Sequence, residues 1–144
     1  MELDPENADL RLRYGQFLVP VDRREAVEQH LAVVEMFPGV PEYRIKLGAA
    51  LMLAGAGEAA DEEFERAIYL DPLSAVLRSD IGGANLAAGR PERALVHYEN
   101  ALELDPNSQL YAFNLGTVHA QLSTQDGRDE EHFEEAEALL QSVE

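Results

Sequence analysis

The chain repeats itself every 34 residues. Pro38, Pro72 and Pro106 keep that interval, and so do Ala26, Ala60 and Ala94, and Gly48, Gly82 and Gly116. Three residue types held in one register mean an array of like supersecondary units, each too small to bury its own apolar face and each covered by the next. An array offers an extended surface for another chain, whereas a single closed core would be needed to enclose a reactive pocket. The 144 residues allow about four such units.

The third unit, Ala75 to Ser108, shows the design most plainly. Two helical stretches flank Gly89-Arg90-Pro91, and Pro91 suits a first helical turn, where its missing N–H costs nothing. Asp105-Pro106-Asn107-Ser108 stops the second helix and supplies candidate caps for the next. The second unit matches it without a gap, with Gly55-Ala56-Gly57 as its turn and Asp71-Pro72 as its stop. In the first unit the interval from Gly15 to Gly48 is one residue short, which places a deletion between Gly15 and Ala26, in or near Pro20-Val21-Asp22. In the fourth unit Phe133 lies 69 residues after Phe64, so one extra residue is expected in the loop from Ser123 to Asp129. The expected boundaries are 8–40, 41–74, 75–108 and 109–144, the last degenerate or capping. Residues 1–7 contain ELDPEN, echoing ELDPNS at the close of the third unit; they read as the tail of a preceding unit in a longer protein, with a native start at Met1 as the alternative.

These residues resemble the tetratricopeptide repeat, whose pattern sets Leu-Gly in a first helix and Ala, a large residue, a small residue and Pro along a second. The second unit supplies Leu47-Gly48, Ala60, Phe64, Ala67 and Pro72, and the third Ile81-Gly82, Ala94, Tyr98, Ala101 and Pro106. The first has Tyr14-Gly15, Ala26 and Pro38, with His30 and Val33 in the large and small places; the fourth has Leu115-Gly116, Phe133 and Ala136. One departure is that Arg11, Arg44, Arg78 and Ala112 stand where the family has an early aromatic, the bulk having moved to Leu10, Tyr43, Leu77 and Tyr111. The resemblance implies an all-α fold, a right-handed superhelix of antiparallel helix pairs with about four repeats.

It also implies a concave groove lined by the first helices. Helical spacing then selects Leu12, Arg13, Gln16 and Val19; Ile45, Lys46, Ala49, Met52 and Leu53; Ser79, Asp80, Gly83 and Leu86; and Phe113, Asn114, Thr117 and Ala120. Met52 and Phe113 are the expected anchors for an extended peptide or amphipathic helix, with Lys46 pairing an acid on it. Some relatives clamp a chaperone's C-terminal carboxylate with several Lys, Arg and Asn; Lys46 and Asn114 alone do not make that set.

Composition narrows the partner. A net charge of −17, with 28 acidic and 11 basic residues, opposes nucleic-acid and anionic-membrane binding, because both carry negative charge. A single lysine, Lys46, beside ten arginines fits a GC-rich prokaryotic genome or a halophile's solvated acidic surface. Without cysteine there is no disulfide and no thiolate chemistry. No apolar run reaches the about 18 residues of a membrane span, no secretory leader pattern opens the sequence, and a cytoplasmic location is favoured.

Catalytic and metal signatures are missing. His30, His97, His119 and His132 include no i, i+4 pair, and His30 occupies a core-filling place. His119 and Asn85 fall at equivalent places of adjacent units and are expected to hydrogen-bond. Asp61-Glu62-Glu63 and Asp129-Glu130-Glu131 lack the alternating calcium-loop pattern, and no phosphate loop or nucleophile elbow exists. No catalytic residue, metal or cofactor is expected. The function so read is a protein-binding scaffold; an accessory region of a larger enzyme, such as a transferase, and a self-association module are the alternatives.

Overall fold

The computed structural model describes residues 5–125 and 130–143. Among them are eight helices and no strand: α1 (Pro5–Leu18), α2 (Arg23–Met36), α3 (Pro41–Leu53), α4 (Gly57–Leu70), α5 (Ala75–Ala87), α6 (Pro91–Leu104), α7 (Gln109–Gln125) and α8 (Glu130–Ser142). Two compact units divide the chain, Met1–Pro72 and Leu73–Glu144.

Several helices begin or end for a local reason. Asp22 caps α2 by accepting from the amides of Arg24 and Glu25 at 3.1 and 3.0 Å. Ser74 caps α5 through the Leu77 amide at 3.1 Å, and Ser108 accepts from the Tyr111 amide at 3.4 Å to start α7. Pro41 and Pro91 occupy the first turns of α3 and α6. Gly55 and Gly89 turn the chain after α3 and α5 with φ of 84° and 72°, where a side chain would be strained. The first hairpin has no such glycine. Its helix stops at Leu18, before Pro20, and the Val21 and Asp22 amides both donate to the Leu18 carbonyl, at 2.8 and 2.7 Å. The short repeat is therefore short because α1 ends early.

In the first unit α1 packs on α2, α2 on α3, and α3 on α4. In the second, α5 packs on α6, α6 on α7, and α7 on α8. Each hairpin closes on a glycine of its first helix. A Cβ on Gly48 would stand 2.5 Å from the Phe64 ring, on Gly82 2.9 Å from the Tyr98 ring, and on Gly15 2.5 Å from the His30 ring. Ala26, Ala60 and Ala94, one turn before those rings, are buried and let the helices approach. Around these closures lie cores such as Ala8, Leu12 and Val33 in the first unit, and Ala94, Tyr98, Leu115, Val118 and Leu122 in the second.

The fourth hairpin corrects the sequence reading. Phe133 is exposed and does not fill the space beside Gly116. Leu140 does, its Cγ 3.0 Å from a Cβ built there, and buried Ala136 one turn earlier takes the place of Ala94. The true match is thus Ala136 and Leu140 to Ala94 and Tyr98. The insertion is eight residues, since 24 separate Gly116 from Leu140 and 16 separate Gly82 from Tyr98. Part of it lengthens α7 to 17 residues against 13 for α5. The expected one-residue insertion in the loop is wrong in size, and residues 126–129 of that loop lie outside the described residues.

Gly48→Ala should be destabilising. Overpacking costs about 1–3 kcal/mol, against up to about 1 kcal/mol gained in helix propensity. Gly39→Ala meets nothing within 4 Å and should unfold at the wild-type urea midpoint.

Candidate functional site

The expected groove residues fall into two groups once placed. Leu12, Ile45 and Met52 are buried. Leu12 packs with Ala8 and Val33, so it belongs to the core of the first hairpin. Met52 is therefore no accessible anchor, because an i, i+3, i+4, i+7 rule selects a helix face wider than the strip left to solvent. Arg13 and Gln16 are exposed, while Lys46 and Ala49 are half-buried. Arg13 spends part of its charge on Asp9, 2.9 Å away and likewise exposed.

In the second unit one pair of the expected residues meets. Asn114 of α7 donates to the Ser79 hydroxyl of α5 at 3.4 Å, so the first helices of two consecutive hairpins lie side by side there. Asp80 and Thr117 are exposed next to this contact in sequence, and Phe113 presents its ring to solvent. The Thr117 hydroxyl donates to the Phe113 carbonyl at 2.9 Å. A Cβ on Gly83 would stand 3.5 Å from the Tyr98 hydroxyl, so α6 also contributes a polar atom to this face. Burial, and then the Asp80 carboxylate, raise the Tyr98 phenol above its ordinary value. Tyr111 is raised by burial, then by Asp105 and Asp80. The repeat pattern gives Tyr98 a packing place, and its hydroxyl, where the second unit has Phe64, is the one sign of a polar role.

Polar groups of the first unit do structural work. Arg44 holds Glu63 through Nη1 at 2.8 Å and the Pro38 carbonyl through Nη2 at 2.9 Å, and Arg66 joins Glu63 from the same helix. Arg44 and Glu63 are largely buried. Arg11 bonds Gln29 at 3.1 Å in the hairpin before. These arginines occupy the place of the family's early aromatic, tying first helix to second by charge and hydrogen bonds. Among the described residues no cluster of three His, Cys, Asp or Glu is placed to hold a metal.

His30 fills the core place expected of it, whereas His119 departs from expectation. His119 does not pair with Asn85. Asn85 donates to the Ile81 carbonyl of its own helix at 3.0 Å, and its Oδ1 is buried without a partner. His119 Nδ1 lies 2.9 Å from His132 Nδ1 of α8, an approach that needs a proton on one nitrogen and a lone pair on the other. Burial, then the neighbouring His132, lower the His119 pKa. His30 is buried and donates from Nδ1 to the Ala26 carbonyl at 2.7 Å; burial lowers its pKa, with Lys46 adding to the effect.

No protein-family model matches the sequence, and no curated protein does either. Solved structures do. The first TPR of Spaghetti (RPAP3), bound to the HSP90 peptide SRMEEVD, superposes with a TM-score of 0.59 at 21% identity, covering 83% of this chain and 96% of that one. The Sgt2 TPR domain from Aspergillus fumigatus gives 0.61 at 23% identity over 85% and 83%. PilF of Pseudomonas aeruginosa gives 0.61 at 23% over 96% and 64%. At such identities the shared property is the fold.

Glu63→Ala strands Arg44 in a buried place and should cost about 3–5 kcal/mol in urea unfolding, while the exposed Glu62→Ala should change stability by less than about 1 kcal/mol. The lowered His30 pKa makes stability depend on pH. The unfolded chain takes up that proton as pH falls through 6.5, and the folded chain resists until lower pH, so stability present at neutral pH is lost between the two values. His30→Phe, copying Phe64 against Gly48, should shrink the drop in Tm between pH 7.5 and pH 5.

Proposed function

We propose, for a chain that carries the fold of tetratricopeptide-repeat domains, a non-catalytic role: it holds a peptide segment of a partner protein against the first-helix face of α5 and α7. The Asn114–Ser79 contact carries this reading, because it sets two first helices together with Phe113 exposed between polar neighbours. The face combines one large apolar ring with Asp80, Thr117 and the Tyr98 hydroxyl. It has hydrogen-bonding groups for a peptide backbone, one apolar anchor, and a carboxylate suited to a basic or neutral segment. Arg13, Gln16, Lys46 and Ala49 offer the first unit a separate, more cationic strip.

The acidic chaperone tail held by the Spaghetti domain is a poor model for this occupant. Asp80 would repel it, and the second unit's face gathers no cluster of cations to clamp a terminal carboxylate. Phosphate and nucleic-acid ligands are disfavoured by the same charge.

A displayed random-peptide library panned on the protein supplies the test. Selected peptides should be rich in apolar residues with Lys or Arg. They should bind Phe113→Ala and Asn114→Ala at least about tenfold more weakly, the loss of one anchor of about 1.4 kcal/mol. Binding to Glu137→Ala should be unchanged. Peptides indifferent to both face variants would move the site elsewhere.

A further inference from the structure

The last hairpin sets two imidazoles together across its two helices. His119 of α7 stands where the first helices of the other repeats have Leu18, Leu51 and Asn85. Its neighbour on α8 is a product of the insertion. Helix α8 begins six residues before Ala136, whereas α6 begins three before the matching Ala94. The added turn carries His132 into the helix. Its match in the third repeat, Arg90, still lies outside α6, at the N-cap.

Two nitrogens so placed suit a metal ion. His119 Nδ1 and His132 Nδ1 are 2.9 Å apart, and the rings are tilted by 48°. Metal–imidazole bonds are about 2.0–2.1 Å long, and two of them meeting at about 90° span about 2.9 Å. That is the cis angle of square-planar and octahedral ions, whereas a tetrahedral ion would need about 3.4 Å between the nitrogens. Imidazoles held cis in a planar or tetragonal site favour Cu²⁺ and Ni²⁺. The surroundings favour a cation as well. Glu135 of α8, Glu99 of α6 and Glu131 of α8 all act on His119 through their charge, and the two carboxylates of α8 are exposed. His119 is buried and His132 half-buried, so the nitrogens are partly shielded from competing water.

We infer that His119 and His132 form a two-histidine site for a divalent late first-row ion, Cu²⁺ or Ni²⁺, that bridges α7 and α8. Each Nδ1 gives its lone pair to the ion. The proton that one Nδ1 carries in the ring-to-ring hydrogen bond moves to Nε2 of the same ring, so both rings stay neutral and no net proton is released. Among the described residues no third His, Cys, Asp or Glu is placed with the pair, so water completes the coordination. His30 offers no such site, because its Nδ1 is spent on the Ala26 carbonyl. A hydrogen bond between the rings with no metal role is the competing reading, and it gives the hairpin no response to an ion.

The test uses the protein stripped with EDTA and dialysed at pH 7.5. Calorimetric titration with nickel chloride should find one site. At about ten times the dissociation constant, nickel should raise Tm by about 4 °C, because the ion binds only when α7 and α8 are docked. Electron paramagnetic resonance of the copper-loaded protein should show splitting from two nitrogens. His132→Gln, and His119→Asn, which copies Asn85, should keep the helical circular dichroism and lose both the rise in Tm and the two-nitrogen pattern. His97→Gln, which copies Gln29 of the first hairpin, should bind nickel like the wild type. A wild-type Tm indifferent to nickel overturns the proposal. So does a rise that survives both substitutions, which would assign the ion to carboxylates elsewhere on the surface.

Discussion

The fold rests on one repeated close approach. A first helix brings a glycine to a point where a second helix inserts a ring or a leucine, so close that an added Cβ would press against it. This contact fixes the depth of each hairpin and therefore which faces remain for neighbours and for solvent. It is indifferent to the chemistry of the inserted group. Histidine, phenylalanine, tyrosine and leucine fill the space beside Gly15, Gly48, Gly82 and Gly116 in turn. What is kept is volume beside a missing side chain, which is how a packed interior tolerates changing sequence.

That tolerance has consequences. A histidine in the first hairpin makes its core a titrating one, and a tyrosine in the third sends a hydroxyl toward the face where Asn114 meets Ser79. In three repeats an arginine stands where tetratricopeptide repeats carry an early aromatic, and the first two such arginines join the helices of their hairpins through Gln29 and Glu63. An apolar contact that needs only volume has become a polar one that needs a partner of the right charge. The gain is direction, since a guanidinium bonded to Glu63 and the Pro38 carbonyl permits one geometry. The cost is sensitivity, because either partner alone is a buried charge.

The two terminal hairpins differ in the surfaces they turn to water. Helix α8 is acidic along its outer side, with Glu130, Glu131, Glu134, Glu135 and Glu137 all exposed. Helix α1 leaves Leu10, Tyr14 and Phe17 exposed, whereas the matching Tyr111, Leu115 and Val118 of α7 are buried.

The sequence alone determined the helical hairpins, their order and the glycines at their closures, because a 34-residue period and the residues that start, turn and stop helices are local signals. Tertiary structure decided everything that depended on register between helices. The eight-residue insertion of the last hairpin was invisible because Phe133 offers the expected residue type at nearly the expected interval, and only the contact of Leu140 with Gly116 shows which side chain fills the gap. The same holds for the face: periodicity places Leu12, Ile45 and Met52 on it, but how far a neighbouring helix encroaches is set by packing, and all three are covered. His119 and His132 stand 13 residues apart in the chain, with no spacing rule to connect them. Two helices crossing at one point brought their nitrogens within 2.9 Å.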